Sequence, residues 1–291
     1  MSVLASIDGR VVPGGEARVS VLDNGFMFGD GAYETLRTYA GRPFHLGRHL
    51  RRLRASVARL GFALPPDDQE MAARLEALLV QADHGESYVR IVVTRGVGDV
   101  SYHFERVQGP TIVMVVKPLE TLPAAAYSEG LDVVVSVVRR NNPQALDPAI
   151  KSINLLNNIL AVRAAQARGA AEAIMLNERG EVAEGASSNV FVVARGALLT
   201  PPLSAGLLAG ITRGVILDLA PTLGLEAREA TLMPRDLVGA AEVFITSSLR
   251  EIAPVRAVDG QSVGAGRPGP VTLRLREAFR EYAPAHCGLT Q

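Results

Sequence analysis

The spacing of apolar residues predicts both strands and amphipathic helices in the first part of the chain. Apolar side chains recur every three or four positions from Leu46 to Leu60, and again from Met71 to Leu79, which places them on one face of each of two helices. An Asp-Gly pair at residues 8–9 is typical of a hairpin between two short strands. Further strands are predicted at residues 19–22, 32–39, 88–94 and 111–117.

Residues 118–130 contain two prolines and end in glycine, which indicates a linker between two domains. After it, a β-branched run at residues 131–138 predicts a buried strand, and residues 154–168 predict a helix that ends at Gly169. Later strands are predicted at 172–176, 189–193, 197–200 and 242–246, and helices at 212–223 and 270–282. We therefore expect a mixed α/β fold, with domains at residues 1–117 and 131–291 joined by the linker 118–130.

Composition narrows the class of protein. Apolar residues make up 48% of the 291 residues and charged residues 21%, which is typical of a packed globular protein. Because 30 basic residues balance 30 acidic ones, we expect neither nucleic acid nor a membrane surface as a partner. No apolar run approaches the roughly 18 residues of a membrane span, and the first residues do not resemble a signal peptide. The single Cys287 excludes an internal disulfide, and we expect a cytoplasmic protein.

Lys151 is unusual because Lys117 is the only other lysine among the 30 basic residues. Where only positive charge is needed this chain uses arginine, so a lysine indicates chemistry that a guanidinium does not perform. Lys151 follows Ala149 and Ile150 and precedes a predicted helix, so we expect it to lie at a strand-to-helix transition and to be partly buried. Burial favours the neutral amine, which attacks an aldehyde. The alternative is a surface lysine whose stem packs on the helix.

Several other residues are candidates for binding an anion or a cofactor. Residues 210–212 precede a predicted helix, where free backbone N–H groups and the Thr212 hydroxyl would bind an anion, although Thr212 alternatively only caps the helix. Ser248 ends a predicted strand in the group Thr246-Ser247-Ser248, which either supplies further hydroxyl and N–H donors to an anion or is only a turn. Arg52 lies beside the apolar face of its helix, from which it reaches inward to an anion. Glu184 is either a partner for a protonated pyridine nitrogen or a turn residue.

Taken in order, the motifs of the chain resemble the fold-type IV pyridoxal-phosphate (PLP) enzymes, also called class IV aminotransferases. The resemblance covers essentially the whole chain. Its most specific stretches are GFMFGDGAYETLR (25–37), HLRRL (49–53), YVRIVVTRGVGD (88–99), IKSINLLNN (150–158), EVAEGASSNVF (181–191), LLAGITR (207–213) and EVFITSSLREIAPV (242–255). It implies a small N-terminal α/β domain, a larger C-terminal domain with a mixed sheet or pseudo-barrel, and a homodimer or larger homo-oligomer. No metal is expected.

The resemblance also assigns roles to the matching positions. Lys151 matches the lysine that forms a Schiff base with PLP and moves the proton between the substrate Cα and the cofactor. Glu184 matches the carboxylate that keeps the pyridine nitrogen protonated, and Leu208 the residue that packs against the ring. The positions that match the phosphate-binding residues are Arg52, Ile211, Thr212 and Ser248.

The likeness is less specific for the substrate. Tyr88 and Arg90 match positions that branched-chain aminotransferases use around the substrate carboxylates, although Arg90 is alternatively a plain ion-pair partner. Tyr33 matches a carboxylate-binding tyrosine of D-amino-acid aminotransferases. Arg250 stands in the turn that presents N–H groups to the α-carboxylate. We expect transamination between a branched-chain or other hydrophobic L-amino acid and 2-oxoglutarate, whose second carboxylate suits a buried arginine.

Other activities stay open as alternatives. Residues 100–102 read Val-Ser-Tyr where D-amino-acid aminotransferases have an Arg-x-His pair, which argues against a D-amino-acid or (R)-amine transaminase without excluding it. Thr35 is frequent in aminodeoxychorismate lyases, so 4-amino-4-deoxychorismate lyase is another alternative. A non-catalytic PLP-binding protein belongs to a different class, and the presence of Glu184 argues against it.

Overall fold

The computed structural model describes residues 3–289, which divide into two compact units. The first unit runs to Glu120 and also contains Ile150–Asn154 and the described residues from Ala283 onward. The second unit comprises Thr121–Ala149 and Leu155–Tyr282. The chain first changes unit inside the predicted linker, but these units differ from the predicted domains because the short segment around Lys151 belongs with the first.

The first unit is built on an antiparallel sheet of six strands in the order β2-β1-β6-β5-β3-β4. Its strands are β1 (Leu4–Ile7), β2 (Arg10–Pro13), β3 (Gly31–Tyr39), β4 (Arg42–Pro43), β5 (Ser87–Thr94) and β6 (Thr111–Pro118). Its helices are α1 (Asn24–Phe28), α2 (Leu46–Arg59) and α3 (Asp68–Ala82), with single 3₁₀ turns at Gly14–Glu16 and Phe104–Arg106.

The two predicted amphipathic helices are present and cover one face of this sheet. Leu50 and Leu53 of α2 and Leu75 of α3 are buried in one cluster with Leu36 of β3 and Ile91 of β5. Burying this apolar face provides most of the free energy that holds the helices in place. The other face of β3 carries half-buried side chains at alternate positions, and these include the candidate site residue Tyr33.

The prediction of a strand at residues 19–22 is wrong. Val19, Val21 and Leu22 are 49%, 67% and 43% exposed, and the Asp23 N–H donates to the Ser20 carbonyl in a turn instead of pairing with a strand. Without a neighbouring strand and a buried face, an apolar run of four residues does not form a strand.

The second unit contains a mixed sheet of nine strands, in the order β12-β11-β10-β13-β14-β7-β8-β9 with β15 paired to β14. Parallel pairs join β11 to β12, β14 to β7 and β7 to β8, and the other pairs are antiparallel. The strands are β7 (Leu131–Val135), β8 (Glu172–Leu176), β9 (Val182–Gly185), β10 (Asn189–Ala194), β11 (Ala197–Thr200), β12 (Glu226–Glu229), β13 (Glu242–Ser247), β14 (Glu251–Val258) and β15 (Gln261–Ser262).

The remaining helices are α4 (Ala124–Ser128), α5 (Leu156–Gln166), α6 (Ile211–Thr222), α7 (Pro234–Val238) and α8 (Pro270–Ala285), and a 3₁₀ turn lies at Leu203–Ala205. Strands β8 and β13, which pair with a strand on each side, are buried along almost their whole length, as expected for central strands of a mixed sheet. The mixed α/β fold class and the larger mixed sheet of the second half are confirmed. Within residues 3–289, no helix is long and apolar enough to cross a membrane.

Candidate active site

Lys151 lies in a short extended segment beside β3, not at the end of a strand as predicted. The Tyr33 N–H donates to the Lys151 carbonyl at 2.9 Å, and the Ile153 N–H donates to the Gly31 carbonyl at 3.0 Å. On the other side, the Lys151 N–H donates to the Ser56 hydroxyl of α2 at 3.1 Å. The backbone of Lys151 is therefore fixed by both β3 and α2, although it belongs to neither.

Two cations share the ring of Tyr33. The Lys151 Nζ lies 3.5 Å from the Tyr33 hydroxyl and 4.5 Å from the ring centroid, and the Arg90 guanidinium lies 4.1 Å from the same centroid. Neither cation forms an ion pair with a carboxylate in the described part of the chain. All three side chains are half-buried. This arrangement leaves positive charge available to an anionic substrate.

Tyr88 completes this face of the first sheet. It lies two residues before Arg90 on β5, and alternate residues of a strand point to the same side. Arg90 pairs in register with Thr35, two residues beyond Tyr33 on β3. The Lys117 Nζ lies 5.5 Å from the Tyr88 ring centroid. The structure thus brings three of the predicted substrate residues, Tyr33, Tyr88 and Arg90, onto the face that carries Lys151.

Arg52 does reach inward to an anion, and that anion is the carboxylate of Glu34. Its Nε and Nη2 donate to the two oxygens of Glu34, each at 2.7 Å, and the His49 Nδ1 lies 2.7 Å from the same carboxylate. Glu34 and His49 are fully buried, and the Arg52 side chain is 12% exposed. Sequence reasoning overlooked Glu34 and His49; the polar His49 three positions before Arg52 on one helix was the available signal.

Burial and charge oppose each other at Glu34. Burial alone raises the pKa of this carboxyl, but the adjacent charges and hydrogen bonds of Arg52 and His49 outweigh burial and hold the pKa well below its ordinary value. Burial also lowers the pKa of His49, against the opposing effect of Glu34, and the charges of Arg52 and Lys151 lower it further. Near neutral pH the group therefore contains one carboxylate, one guanidinium and a neutral imidazole that donates its Nδ1–H.

In the second unit, Glu184 is the centre of a hydrogen-bond network. Its Oε1 accepts from the Arg140 Nε at 2.8 Å, and its Oε2 accepts from the Leu208 N–H at 3.1 Å and from the Asn189 Nδ2 at 3.3 Å. Asn189 also donates to the Leu208 carbonyl at 3.0 Å. Arg140 donates in turn to the Asn157 side chain at 3.1 Å. Glu184 is thus an oriented, buried carboxylate, not a turn residue in solvent.

The N-terminus of α6 carries the features of an anion site. Gly210 is the N-cap, and no side chain caps the helix. The Thr212 hydroxyl is buried and has no hydrogen-bond partner within residues 3–289, and the same holds for the Thr246 hydroxyl on β13. Ile211, the first residue of α6, is half-buried. Leaving a buried hydroxyl unpaired costs about 1–3 kcal/mol, and the Thr212 hydroxyl at the start of α6 is placed to donate to a bound anion.

Ser248 and Arg250 lie in the turn between β13 and β14. The Arg250 N–H donates to the Ser247 hydroxyl at 3.2 Å, and Ser248 is half-buried. The Arg250 guanidinium donates to the buried carboxylate of Glu172 at 2.6 Å. Glu172, which sequence reasoning did not single out, also accepts from Ser187 at 2.6 Å. Within residues 3–289, no group of three or more His, Cys, Asp or Glu side chains is placed to hold a metal ion.

Comparison with known proteins identifies the family. The family described as amino-transferase class IV matches residues 31–258, which include every candidate residue named above. The chain belongs to the class IV aminotransferases. Members of this family use PLP, and the chain is an enzyme of this PLP-dependent class. The family that the motifs predicted is confirmed.

Individual relatives of this class IV aminotransferase carry two different substrate names. It is 38% identical over 276 residues to a putative branched-chain-amino-acid aminotransferase of Methanocaldococcus jannaschii, covering 94% of each chain. It is 34% identical over 273 residues to a D-alanine aminotransferase of Bacillus licheniformis, again covering 94% of each. The solved branched-chain aminotransferase of Thermoproteus uzoniensis with norvaline has a TM-score of 0.90 at 30% identity, with 98% of this chain and 96% of that chain covered.

Proposed function

We propose that this aminotransferase moves amino groups between a branched-chain or other hydrophobic L-amino acid and 2-oxoglutarate, and that Lys151 binds the cofactor aldehyde. The observation that carries the proposal is the pair of cations on Tyr33: an amine without an ion-pair partner for the cofactor and, beside it, the Arg90 guanidinium for a carboxylate. Another similar branched-chain amino acid aminotransferase, solved in complex with N-(5'-phosphopyridoxyl)-L-glutamate, supports glutamate and 2-oxoglutarate as one substrate pair.

The donor groups fit PLP. The unpaired Thr212 hydroxyl and the uncapped first turn of α6 suit the phosphate, as do the positions of Ile211 and Ser248 and the guanidinium of Arg52. Glu184 would hold the pyridine nitrogen protonated, and Arg140 holds this carboxylate in place through an ion pair of 2.8 Å. The Leu208 backbone, bonded to Glu184, would present its side chain to the ring. Bound PLP supplies an electron-accepting ring for the charge that develops at the substrate Cα.

Lys151 would do the proton work. Its amine would take the proton from the substrate Cα and deliver it to the cofactor carbon that Lys151 had held, which leaves the amine free again, and would carry a proton the opposite way in the second half-reaction. Tyr33 keeps the amine in place through its ring and hydroxyl. Because three hydrogen bonds fix the backbone around Lys151, only the flexible stem has to move.

Substrate carboxylates would bind on the same face. Arg90 provides a fixed guanidinium for the second carboxylate of glutamate, and the hydroxyls of Tyr33 and Tyr88 are available as donors beside it. Arg250 would act through its turn, whose N–H groups suit an α-carboxylate. Its own guanidinium is engaged by Glu172.

A D-amino-acid transaminase is the second candidate, favoured by the D-alanine aminotransferase relatives and by Tyr33. The loop that would supply an Arg-x-His pair contains Val100 and Tyr102 instead. Tyr102 is 80% exposed, with its ring 5.2 Å from that of Phe28. Since no cation is present at these positions, we place this activity second.

We further propose that the working unit is a homodimer. On α5, Leu156, Ile159 and Leu160 are 68%, 49% and 45% exposed, and their spacing places them on one side of the helix. A second copy of the chain would cover this stripe. Light scattering after size exclusion should give a dimer for the wild type and for Leu273→Glu, a change at a 45% exposed leucine of α8, but a monomer for Leu156→Glu. The cytoplasmic location also stays a prediction.

The decisive experiment for the reaction is a set of half-reactions followed by visible absorbance of the PLP-loaded protein. L-leucine, D-alanine, an (R)-amine and aminodeoxychorismate are added in turn, without an acceptor. We expect L-leucine to bleach the cofactor band and 2-oxoglutarate to restore it. Reaction with D-alanine or an (R)-amine alone would overturn the proposal, and pyruvate release from aminodeoxychorismate would indicate the lyase.

The role of Lys151 is tested with the only other lysine as control. Lys151→Ala should lose the visible band and the half-reaction, whereas Lys117→Ala, which removes a pair with the exposed Glu120 and a contact with the Tyr88 ring, should keep the visible band. If the wild-type protein stays colourless after incubation with PLP, the proposed binding of the cofactor at Lys151 is wrong.

A further inference from the structure

Glu34 and His49 form a buried pair of side chains that the reaction proposed above does not use. Glu34 lies on the face of β3 opposite Tyr33, His49 lies on α2, which packs against that face, and both side chains are 0% exposed. They contact Arg52, a candidate site residue, which donates two hydrogen bonds of 2.7 Å to the Glu34 carboxylate. The buried Glu34 carboxylate therefore contacts an arginine that, in the proposed function, binds a second anion, the cofactor phosphate.

The contact between Glu34 and Arg52 fixes the orientation of the guanidinium. A guanidinium is planar, so a carboxylate bonded to both Nε and Nη2 fixes its plane and its rotation together. The His49 Nδ1–H holds the carboxylate itself at 2.7 Å. Because the His49 pKa is lowered by burial, this imidazole is neutral near neutral pH and adds no competing charge. The three side chains therefore form a rigid support with no net charge.

We propose that Glu34, held by His49, is a positioning residue that orients Arg52 for the cofactor phosphate. The inference rests on the proposed function, in which Arg52 binds that phosphate. In this role Glu34 acts through Arg52, so its loss should weaken ligands that carry a phosphate more than ligands without one. Glutamine does not replace it, because one of its two terminal groups is a donor that faces an Arg52 N–H and breaks the two-point contact.

The test compares two aldehydes that differ only in the phosphate. Cofactor-free protein is titrated with PLP and with pyridoxal, and binding at Lys151 is followed by visible absorbance. In Glu34→Gln we expect the affinity for PLP to fall about tenfold, the size typical of coupled neighbours, while the affinity for pyridoxal stays within about twofold. Glu70→Gln, which removes an exposed carboxylate from the half-buried Arg74 on α3, is the matched control and should change neither affinity.

A double-mutant comparison separates positioning from general damage. If Glu34 acts through Arg52, Glu34→Gln in an Arg52→Gln background produces no further loss of PLP affinity. Equal losses for PLP and pyridoxal in Glu34→Gln, or additive losses in the double variant, would overturn the proposal.

Glu34→Asp is the second variant, for use if Glu34→Gln does not fold. It keeps the charge, but its side chain is one methylene too short to keep both bonds to Arg52 and the bond to His49. The same selective loss of PLP affinity is expected, and an unchanged ratio of PLP to pyridoxal affinity would contradict the proposal. A wild-type protein that binds neither aldehyde would instead refute the proposed function of Lys151, which is a distinguishable result.

Discussion

Lys151 and Tyr33 are joined twice, once through the backbone and once through the side chains. The Tyr33 N–H donates to the Lys151 carbonyl at 2.9 Å, and the Lys151 amine lies 3.5 Å from the Tyr33 hydroxyl and over its ring. A residue in an irregular segment is thereby placed by a strand, which is a more rigid element. The ring also holds Arg90, so one aromatic side chain sets the separation of two cations.

The first prediction separates the ring of Tyr33 from its hydroxyl. Tyr33→Phe keeps the surface that both cations contact, and we expect PLP loading to stay within about threefold of wild type. Tyr33→Ala removes the ring that fixes the position of the Lys151 amine and should lower loading about tenfold. Loading is measured by visible absorbance.

Tyr39→Ala is the control for this pair, since it removes a similar contact with Arg37 on the same strand and should leave loading unchanged. Equal losses in Tyr33→Phe and Tyr33→Ala would show that the hydroxyl, not the ring, places the amine.

The second prediction concerns the unpaired hydroxyl of Thr212. Thr212→Val removes a buried oxygen without a partner, so the cofactor-free protein should keep or gain up to about 1 kcal/mol of stability. The same change removes a donor for the phosphate, so the stabilisation that PLP adds should decrease. Both quantities come from thermal unfolding with and without PLP.

Thr200→Val is the matched control, because the Thr200 hydroxyl donates to the Val190 carbonyl at 2.8 Å and is equally buried. The Thr200→Val protein should lose about 1 kcal/mol of unfolding free energy both with and without PLP, so the stabilisation that PLP adds should not change. A Thr212→Val protein that behaves like this control would indicate that Thr212 has only a structural role.

Elements with a strong local pattern were predictable from the sequence. The apolar periodicity of α2 and the apolar run of β8 predicted the first and last residues of both elements to within one or two positions. Strand β9 was missed because it is short and contains Glu184, and β14 because Pro254 interrupts it. Both strands exist because neighbouring strands pair with them, and such long-range pairing leaves no local periodicity.

The candidate site also contains residues that the sequence predicts and residues that it does not. Lys151, Glu184 and Thr212 could be named because they stand in motifs, whereas the partners that orient them could not. Glu34 is 18 residues from Arg52, and Arg140 is 44 residues from Glu184, so each contact depends on the complete fold. A buried Glu on a strand reads the same in sequence whether it faces arginine or not.

The third prediction tests the close packing at the start of α6. A Cβ on Gly210 would overlap the side-chain oxygen of Asn189, whose amide nitrogen donates to both Glu184 and Leu208. Gly210→Ala should therefore lower the free energy of unfolding by about 1–3 kcal/mol and weaken PLP binding, because Asn189 must move. Gly85→Ala, where a Cβ meets open space, is the control. If Gly210→Ala binds PLP as tightly as the control does, Asn189 is not needed to orient Glu184.

The last prediction is a loss of stability at acid pH that originates in His45, the N-cap of α2. Burial, followed by the charges of Arg48 and His286, lowers the pKa of His45 from 6.5 to about 4. The folded state thus binds fewer protons than the unfolded chain. The stabilisation is fully present above pH 6.5 and is lost as the pH falls through about 4, at up to about 1.4 kcal/mol per pH unit.

His45→Asn tests this prediction because asparagine also tolerates the left-handed φ of 46° at this position. Urea unfolding at several values between pH 7 and 4 should give a shallower decline for His45→Asn than for wild type. His49, whose pKa is also lowered, stays in both proteins, so its contribution to the slope is common to them. His103→Asn removes an exposed imidazole beside Glu105 and should reproduce the wild-type slope. Stability changes with pH only where the folded and unfolded states bind different numbers of protons. If the unfolding free energy falls equally steeply with pH in all three proteins, His45 is not a source of the acid sensitivity.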